Sequence, residues 1–358
     1  MVEEPRMFPG LSPAAFQHPL DIQATASLRN VPLLAPLLTA ISSSLFERQM
    51  RLASIANTVR LGPNQGGSLY RKFERAADIL DLPDLPEIYV SNQYVINAYA
   101  FGIEKYQITL FSGLIDALTE DELMAVIGHE LGHVKCEHML YKTMAYILRI
   151  FGVEFLRTLL PANTGTLASI PLQLAILHWE RMAELSCDRA GLLVVQDREV
   201  VASALSKLAG GSRKLLPEIN LDQVLKQADE YEDSSGGLLE QMFKVNMLLL
   251  QTHPFPIVRT KEIMNWGLSE QYQNILNGNY AHFDGVPILA AVEPISKVCP
   301  HCDQRANASA ATCPACARSM KGGRSVCTAC GIKVFSSWQK CPGCGARLQK
   351  EADETVAA

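Results

Sequence analysis

His129 and His133 stand four residues apart, with Glu130 beside the first, in the run Gly128-His129-Glu130-Leu131-Gly132-His133. On a helix, residues i and i+4 project from one face, so the two imidazoles can close on one metal ion. Glu130 is turned about 100° around the helix from His129. That places it off the ligand face but within reach of a water molecule activated by the metal, where a carboxylate acts as general base. A zinc ion that hydrolyses its substrate usually takes three protein ligands and keeps one position for water. The run from Trp179 to Gly191 offers the third, with Glu184 and Asp188 also four residues apart. Glu184 would bind the ion, and Asp188 would accept a hydrogen bond from a ligand histidine and fix its tautomer. Read alone, either pair is a solvated helix face. Read together, each supplies what the other lacks.

Ten cysteines carry the second chemical signal. Eight of them form the pairs Cys299/Cys302, Cys313/Cys316, Cys327/Cys330 and Cys341/Cys344, each Cys-x-x-Cys and each separated from the next by ten residues. Thiolates in sets of four at such spacing close tetrahedral zinc sites. The natural grouping is 299/302/313/316 and 327/330/341/344, two consecutive zinc ribbons with structural metal, although the equal spacing also admits a swapped pairing. Gly331 and Gly345 follow their pairs and can take the left-handed conformation that turns amides toward sulfur, whereas the first unit has Asp303 and Ala317 in those places. So few apolar residues accompany the cysteines that the segment would not fold without metal. The two remaining thiols, Cys136 and Cys187, read as buried and inert, and His138 reads as structural.

The elements that must hold these groups leave marks of their own. Thr119-Glu120-Asp121-Glu122 places a hydroxyl at an N-cap and a carboxylate three residues on, which predicts a helix from there through His133. Ahead of it, Glu87-Ile88-Tyr89-Val90, residues 97–101 and residues 107–111 read as three short strands of a small sheet. Helical periodicity marks residues 45–80 and dominates from the His-Glu-x-x-His run to about Asn277. Leu33, Leu34, Leu37, Leu38 and Ile41 form a shorter helical pattern interrupted by Pro32 and Pro36. The apolar stretch 139–160 carries Lys142, Arg149, Glu154 and Arg157, and the stretch 158–179 is broken by Pro161 and Pro171, so neither reads as a membrane span.

Together the motifs resemble the zinc metallopeptidases of the HtpX and CaaX-prenyl-endopeptidase type. The resemblance covers residues 45–266. It includes an Asn-Ala-x-Ala strand at Asn97 to Ala100, the helix from Glu122 to Val134, Arg-x-x-Glu-x-x-x-Asp from Arg181 to Asp188, and Thr252-His253-Pro254 followed by Arg259. It implies an α+β gluzincin-type domain, mainly α with a small β-sheet, and one catalytic zinc on His129, His133 and Glu184 backed by Asp188 and Arg181. It also implies an edge strand at Asn97, Ala98, Tyr99 and Ala100 that pairs with an extended polypeptide substrate. His253 would lie near the zinc, either stabilising an oxyanion or gating the ion. Cys187 stands where the family usually has alanine, and the spans that anchor its membrane-embedded members are not evident.

Composition sets the outer limits. The chain has 358 residues, 48% hydrophobic and 19% charged, which supplies a real core and excludes disorder throughout. The net charge of −5 is uneven: from Lys297 to Lys350 nine Lys and Arg stand against Asp303 alone, whereas the preceding 296 residues hold 23 against 33 Asp and Glu. A basic tail would suit nucleic acid, but two four-thiolate zinc sites of about −2 each would halve its excess. Only Phe335 and Trp338 there could stack bases, so a protein partner docked on the ribbons is favoured. The acidic start Met1 to Pro5 lacks the layout of a secretory signal, and the cysteine pairs suit a reducing compartment, so a cytoplasmic location is expected, compatible with a peripheral membrane contact. The expected division is an N-terminal helical extension at 1–44, the metallopeptidase domain at 45–280, a linker at 281–297, a double zinc ribbon at 298–346 and a tail at 347–358. The expected activity is zinc-dependent cleavage of polypeptides, misfolded or membrane-associated ones included. The rival is a catalytically silent scaffold that binds proteins through its ribbons.

Overall fold

The computed structural model describes residues 5–30, 34, 46–103, 105–147, 166–210, 215, 218–233, 253 and 255–283, with the backbone of four short strands between 296 and 334. The chain begins with a 3-10 turn, Pro13–Ala15, and helix α1, Pro19–Arg29. It continues with α2 (Phe46–Asn57), β1 (Val59–Arg60), α3 (Gly67–Ile79), β2 (Glu87–Ser91), β3 (Ala98–Phe101), β4 (Gln107–Phe111) and α4 (Ser112–Ala117). Then come α5 (Glu120–Lys135), α6 (Thr166–Val195), α7 (Arg198–Gly210), α8 (Leu221–Asp233), α9 (Pro256–Trp266) and α10 (Glu270–Leu276). Residues 139–147 are helical and mostly buried. The expected helical pattern at 33–41 lies outside the described residues apart from Leu34, and so does most of the expected linker. Among the described residues no helix is long and apolar enough to cross a membrane.

Helix α5 starts at the predicted cap. Glu122 N donates to Thr119 Oγ1 at 3.3 Å while Thr119 N donates to the Glu122 carboxylate at 2.7 Å, so two of the free amides at the helix start are satisfied reciprocally. Glu120, Asp121 and Glu122 face the positive end of the helix dipole. The helix carries past His133 to Lys135 and stops at Cys136, where the next residue, Glu137, turns to a φ of 58°.

Three glycines let α5 and α6 approach closely enough to share a site. A Cβ on Gly191 would lie 2.7 Å from the Ala125 carbonyl oxygen, and one on Gly132 would lie 2.8 Å from Ala190 Cβ and 3.1 Å from Cys187 Cα. Gly128 meets Val194 and Gly191 in the same seam. His129 and His133 flank these glycines on α5, and Glu184 and Asp188 stand opposite on α6. Because the blocking atom at Gly191 is backbone, Gly191→Ala should force the helices apart at a cost of about 1–3 kcal/mol. Chemical unfolding of the metal-free variant beside wild type measures it, and an unchanged midpoint would show that the seam yields freely.

The small sheet runs β1-β2-β4-β3, with β2 and β4 parallel and the outer pairs antiparallel. Strand β3 forms one edge, its Ala98 opposite Leu110 and its Ala100 opposite Ile108, all four buried. The helical pattern expected over 45–80 resolves into two helices separated by β1. Gly62 and Gln65 pair across a tight turn and Gly66 takes a φ of 65°, a break that periodicity alone does not register.

Residues 5–30, expected to belong to an N-terminal extension, enter the main core. Phe8, Leu11 and Phe16 are fully buried in the cluster that holds Phe73, Ile88 and Ile127. The segment is clasped to the far end of the body, where Ser12 N donates to Ala281 O at 3.0 Å and Phe283 N donates to Gly10 O at 2.6 Å. Helix α1 lies along α6.

The C-terminal strands β5 (Ser296–Val298), β6 (Arg305–Asn307), β7 (Arg324–Val326) and β8 (Lys333–Val334) form an antiparallel sheet in the order β6-β5-β7-β8. Val298 pairs with Arg305 and Val326 with Lys333, so its two hairpins share one register. The eight tail cysteines lie outside the described residues.

Candidate metal centre

α5 contributes His129, Glu130 and His133, α6 contributes Glu184 and Asp188, and His253 comes in from the turn ahead of α9. One nitrogen from each of the three histidines and one Glu184 oxygen lie within 4.8 Å of one another. His129 Nε2 is 3.3 Å from Glu184 Oε2, His133 Nε2 is 3.2 Å from Oε1, and His253 Nδ1 is 2.7 Å from Oε2. Glu130, His133 and Glu184 have no exposed surface.

The donor set fits zinc. His129 Nε2 is buried without a hydrogen bond, and so are both carboxylate oxygens of Glu130. A buried polar atom without a hydrogen-bond partner is costly unless something binds it, and imidazole nitrogens with a carboxylate suit zinc. The groups behind these side chains aim them. His129 Nδ1 lies 2.9 Å from Asp188 Oδ1, which turns Nε2 toward the cluster. Arg259 forks onto Asp188, with Nε at 2.7 Å from Oδ2 and Nη2 at 2.6 Å from Oδ1, and its Nη1 reaches to 3.0 Å from Glu184 Oε2. Lys142 Nζ lies 2.6 Å from His133 Nε2 and 3.5 Å from Glu184 Oε1.

Electrostatics follow from these neighbours. Burial alone would raise the Glu184 carboxyl, but His253, Lys142, Arg259 and His129 hold it well below the carboxylate range. Burial would raise Asp188 as well, but Arg259 and His129 together hold it below its usual value. Burial would depress His129, yet Glu184 and Asp188 raise it to about 9. Burial and Lys142 push His133 far down, so this ring is neutral and offers a lone pair. Lys142 is raised against its burial by Glu184, Glu130 and Glu180 and stays charged.

The structure also gathers residues that sequence reasoning passed over. Arg181, expected behind the ligands, is directed elsewhere: its Nη2 lies 3.2 Å from His178 Nδ1 and its guanidinium 5.9 Å from the Phe255 ring centre. Arg259 stands in its place, noted in sequence only as the end of the Thr-His-Pro segment. Lys142 figured only as an argument against a membrane span, and Asp21 not at all. His133, His138 and Cys187 form a second close group. Burial pushes the Cys187 thiol well up, so it stays protonated and is a poor metal ligand.

His253 links the cluster to the sheet. Its Nε2 donates to Ala98 O on edge strand β3 at 2.9 Å and lies 3.5 Å from Glu130 Oε1. Of the other expected strand residues, Ala100 is buried, Asn97 and Tyr99 are half-buried, and the Asn97 side chain accepts from Ala98 N at 3.0 Å. A cavity adjoins this point, lined by His129, Glu130 and His253 together with the apolar Val201, Leu205 and Leu208.

Comparison with known proteins agrees with this geometry. Residues 63–267 match Peptidase family M48. The chain is 38% identical over 274 residues to the plastoglobule-localized metallopeptidase 48, chloroplastic, of Arabidopsis thaliana, covering 76% of this chain and 78% of that protein. It is 30% identical over 240 residues to a Protease HtpX homolog of Kineococcus radiotolerans, covering 60% of this chain and 76% of that one. A Protease HtpX homolog of Tropheryma whipplei is 28% identical over 191 residues, 46% of this chain and 64% of its own.

Proposed function

The chain belongs to peptidase family M48, and on that premise we propose that it is a zinc-dependent endopeptidase with His129, His133 and Glu184 as zinc ligands and Glu130 as general base. The observation that carries this reading is the meeting of three ligand-type side chains from two helices, His129 Nε2 among them without a hydrogen bond, with the Glu130 carboxylate, which also makes none, beside them. Zinc, when bound, supplies Lewis acidity and brings the pKa of a water molecule toward neutrality.

The protein's own groups account for the remaining work. The Glu130 carboxylate takes a proton from water and returns it to the leaving amine. Strand β3, at the sheet edge, offers Asn97 to Ala100 for pairing with an extended substrate, and the adjoining cavity suits an apolar side chain. His253 stands between that edge and Glu130, where a donor could meet an oxyanion. His253→Ala should lower turnover by about 100-fold or more. A rise would make His253 a blocking ligand instead, and an unchanged rate would retire both roles.

For the tail we propose two structural zinc ribbons, on Cys299, Cys302, Cys313, Cys316 and on Cys327, Cys330, Cys341, Cys344, serving as a docking surface for a protein partner. The shared register of its two hairpins supports a repeated unit. Deleting residues 298–358 should leave cleavage of a short unstructured peptide intact, since each ribbon has its own ligands. Loss of that cleavage would place the tail within the active-site architecture. The name of the Arabidopsis relative supports a peripheral contact with a lipid surface. The overall reading is tested by metal analysis joined to a peptide-cleavage assay. A body that binds no zinc, or a chain that cleaves nothing, would leave the scaffold reading in its place.

A further inference from the structure

The two ligand histidines are held from behind by different parts of the fold. Asp188 meets His129 directly, whereas His133 Nδ1 lies 3.3 Å from His138 Nδ1, and His138 Nε2 lies 3.0 Å from Oδ2 of Asp21 on α1. His133 and Asp21 have no exposed surface and His138 has 2%.

The protons in this row have one consistent arrangement. An ionised carboxylate only accepts, so His138 Nε2 carries the proton toward Asp21 and His138 Nδ1 presents a lone pair. The Lys142 ammonium only donates, so His133 Nε2, 2.6 Å from Nζ, is also a lone pair and the His133 proton sits on Nδ1, facing His138. Cys187 Sγ, 3.6 Å from His138 Nδ1, is a weak second donor to the same lone pair. Asp21 is itself fixed by Ser186 Oγ at 2.6 Å, Gln17 Nε2 at 2.9 Å and Thr25 Oγ1 at 3.3 Å.

We infer that Asp21, acting through His138, is a positioning residue for the zinc site, setting the tautomer and ring orientation of His133. This rests on His133 being a zinc ligand. Asp21 lies outside residues 63–267, the span that matches the family, so this arm of the site comes from the N-terminal segment. Carboxylates that orient ligand histidines typically contribute 10- to 100-fold in metal affinity.

The test uses the full-length chain, titrated with zinc against a chromophoric chelator and with cobalt(II) followed by visible absorption. The Glu184→Ala chain, which lacks a ligand, serves as the blank for metal bound elsewhere. Asp21→Asn removes the charge while keeping the shape, and His138→Phe removes the link. Each should weaken metal binding at the body site by about 10- to 100-fold and alter the cobalt spectrum there. The double variant should bind no worse than the weaker single one, since both cut one path. Unchanged affinity and spectrum in either variant, or losses that multiply in the double variant, would overturn the inference. So would failure of both metal-free variants to fold by circular dichroism, which would make the row merely structural. Should Asp21→Asn alone not fold, His138→Phe decides. A wild-type chain that binds no more metal than the blank overturns the zinc reading itself.

Discussion

Glu130→Gln should keep its zinc and lose nearly all peptide hydrolysis. Glu130 is fully buried on α5, one residue around the helix from His129, and its oxygens make no hydrogen bond. It is therefore placed to exchange a proton and is not needed to hold the metal. Glutamine matches its shape but cannot take a proton at neutral pH, so the loss should reach at least the ~10²–10⁴-fold associated with a positioned base. Metal content per chain by emission spectrometry, with kcat on an unstructured peptide, measures both halves. Wild-type turnover in this variant would end the peptidase assignment and leave the scaffold reading.

Glu184→Ala should lose the body zinc itself, and hydrolysis with it, and leave a less stable body. Wild-type protein purified without chelator should hold roughly three zinc ions per chain, one in the body and two in the tail. The variant should lose the first selectively. It also leaves Lys142 and Arg259, both buried and raised in pKa partly by this carboxylate, without their shared counter-charge. Removing one partner from a buried ionic cluster costs about 3–5 kcal/mol, so the metal-free variant should unfold at markedly lower denaturant than metal-free wild type. Full zinc content in Glu184→Ala would remove Glu184 from the ligand set. An unshifted midpoint would mean that the two cations find other partners.

What could be read from the chain beforehand was local in origin. A capping box and a four-residue histidine spacing are properties of a few consecutive residues, so the start of α5 and the common face of His129 and His133 needed no tertiary knowledge. Glu184 and Asp188 were legible because their spacing complements the first pair. Arg259, Lys142 and Asp21 reach the site from three other segments, and no local pattern distinguishes them from ordinary surface charges. Arg181 shows the converse limit. It sits one turn before Glu184, yet Phe255 and His178 draw its guanidinium away. In the same way, periodicity ran through residues 45–80 while the turn at Gly62 to Gly66 divided them.

The clasp between residues 10–12 and 281–283 has a bearing on biosynthesis. Phe8, Leu11 and Phe16 emerge from the ribosome some 270 residues ahead of the strip that closes over Gly10 and Ser12. At ordinary translation speeds that interval is on the order of tens of seconds. Through it Phe8 lacks the Tyr280 ring that packs edge-on against it, and the clasp cannot form until residues 281–283 are made. Vectorial synthesis thus separates this apolar strip from its closure, which makes it a stretch on which a holding chaperone would act.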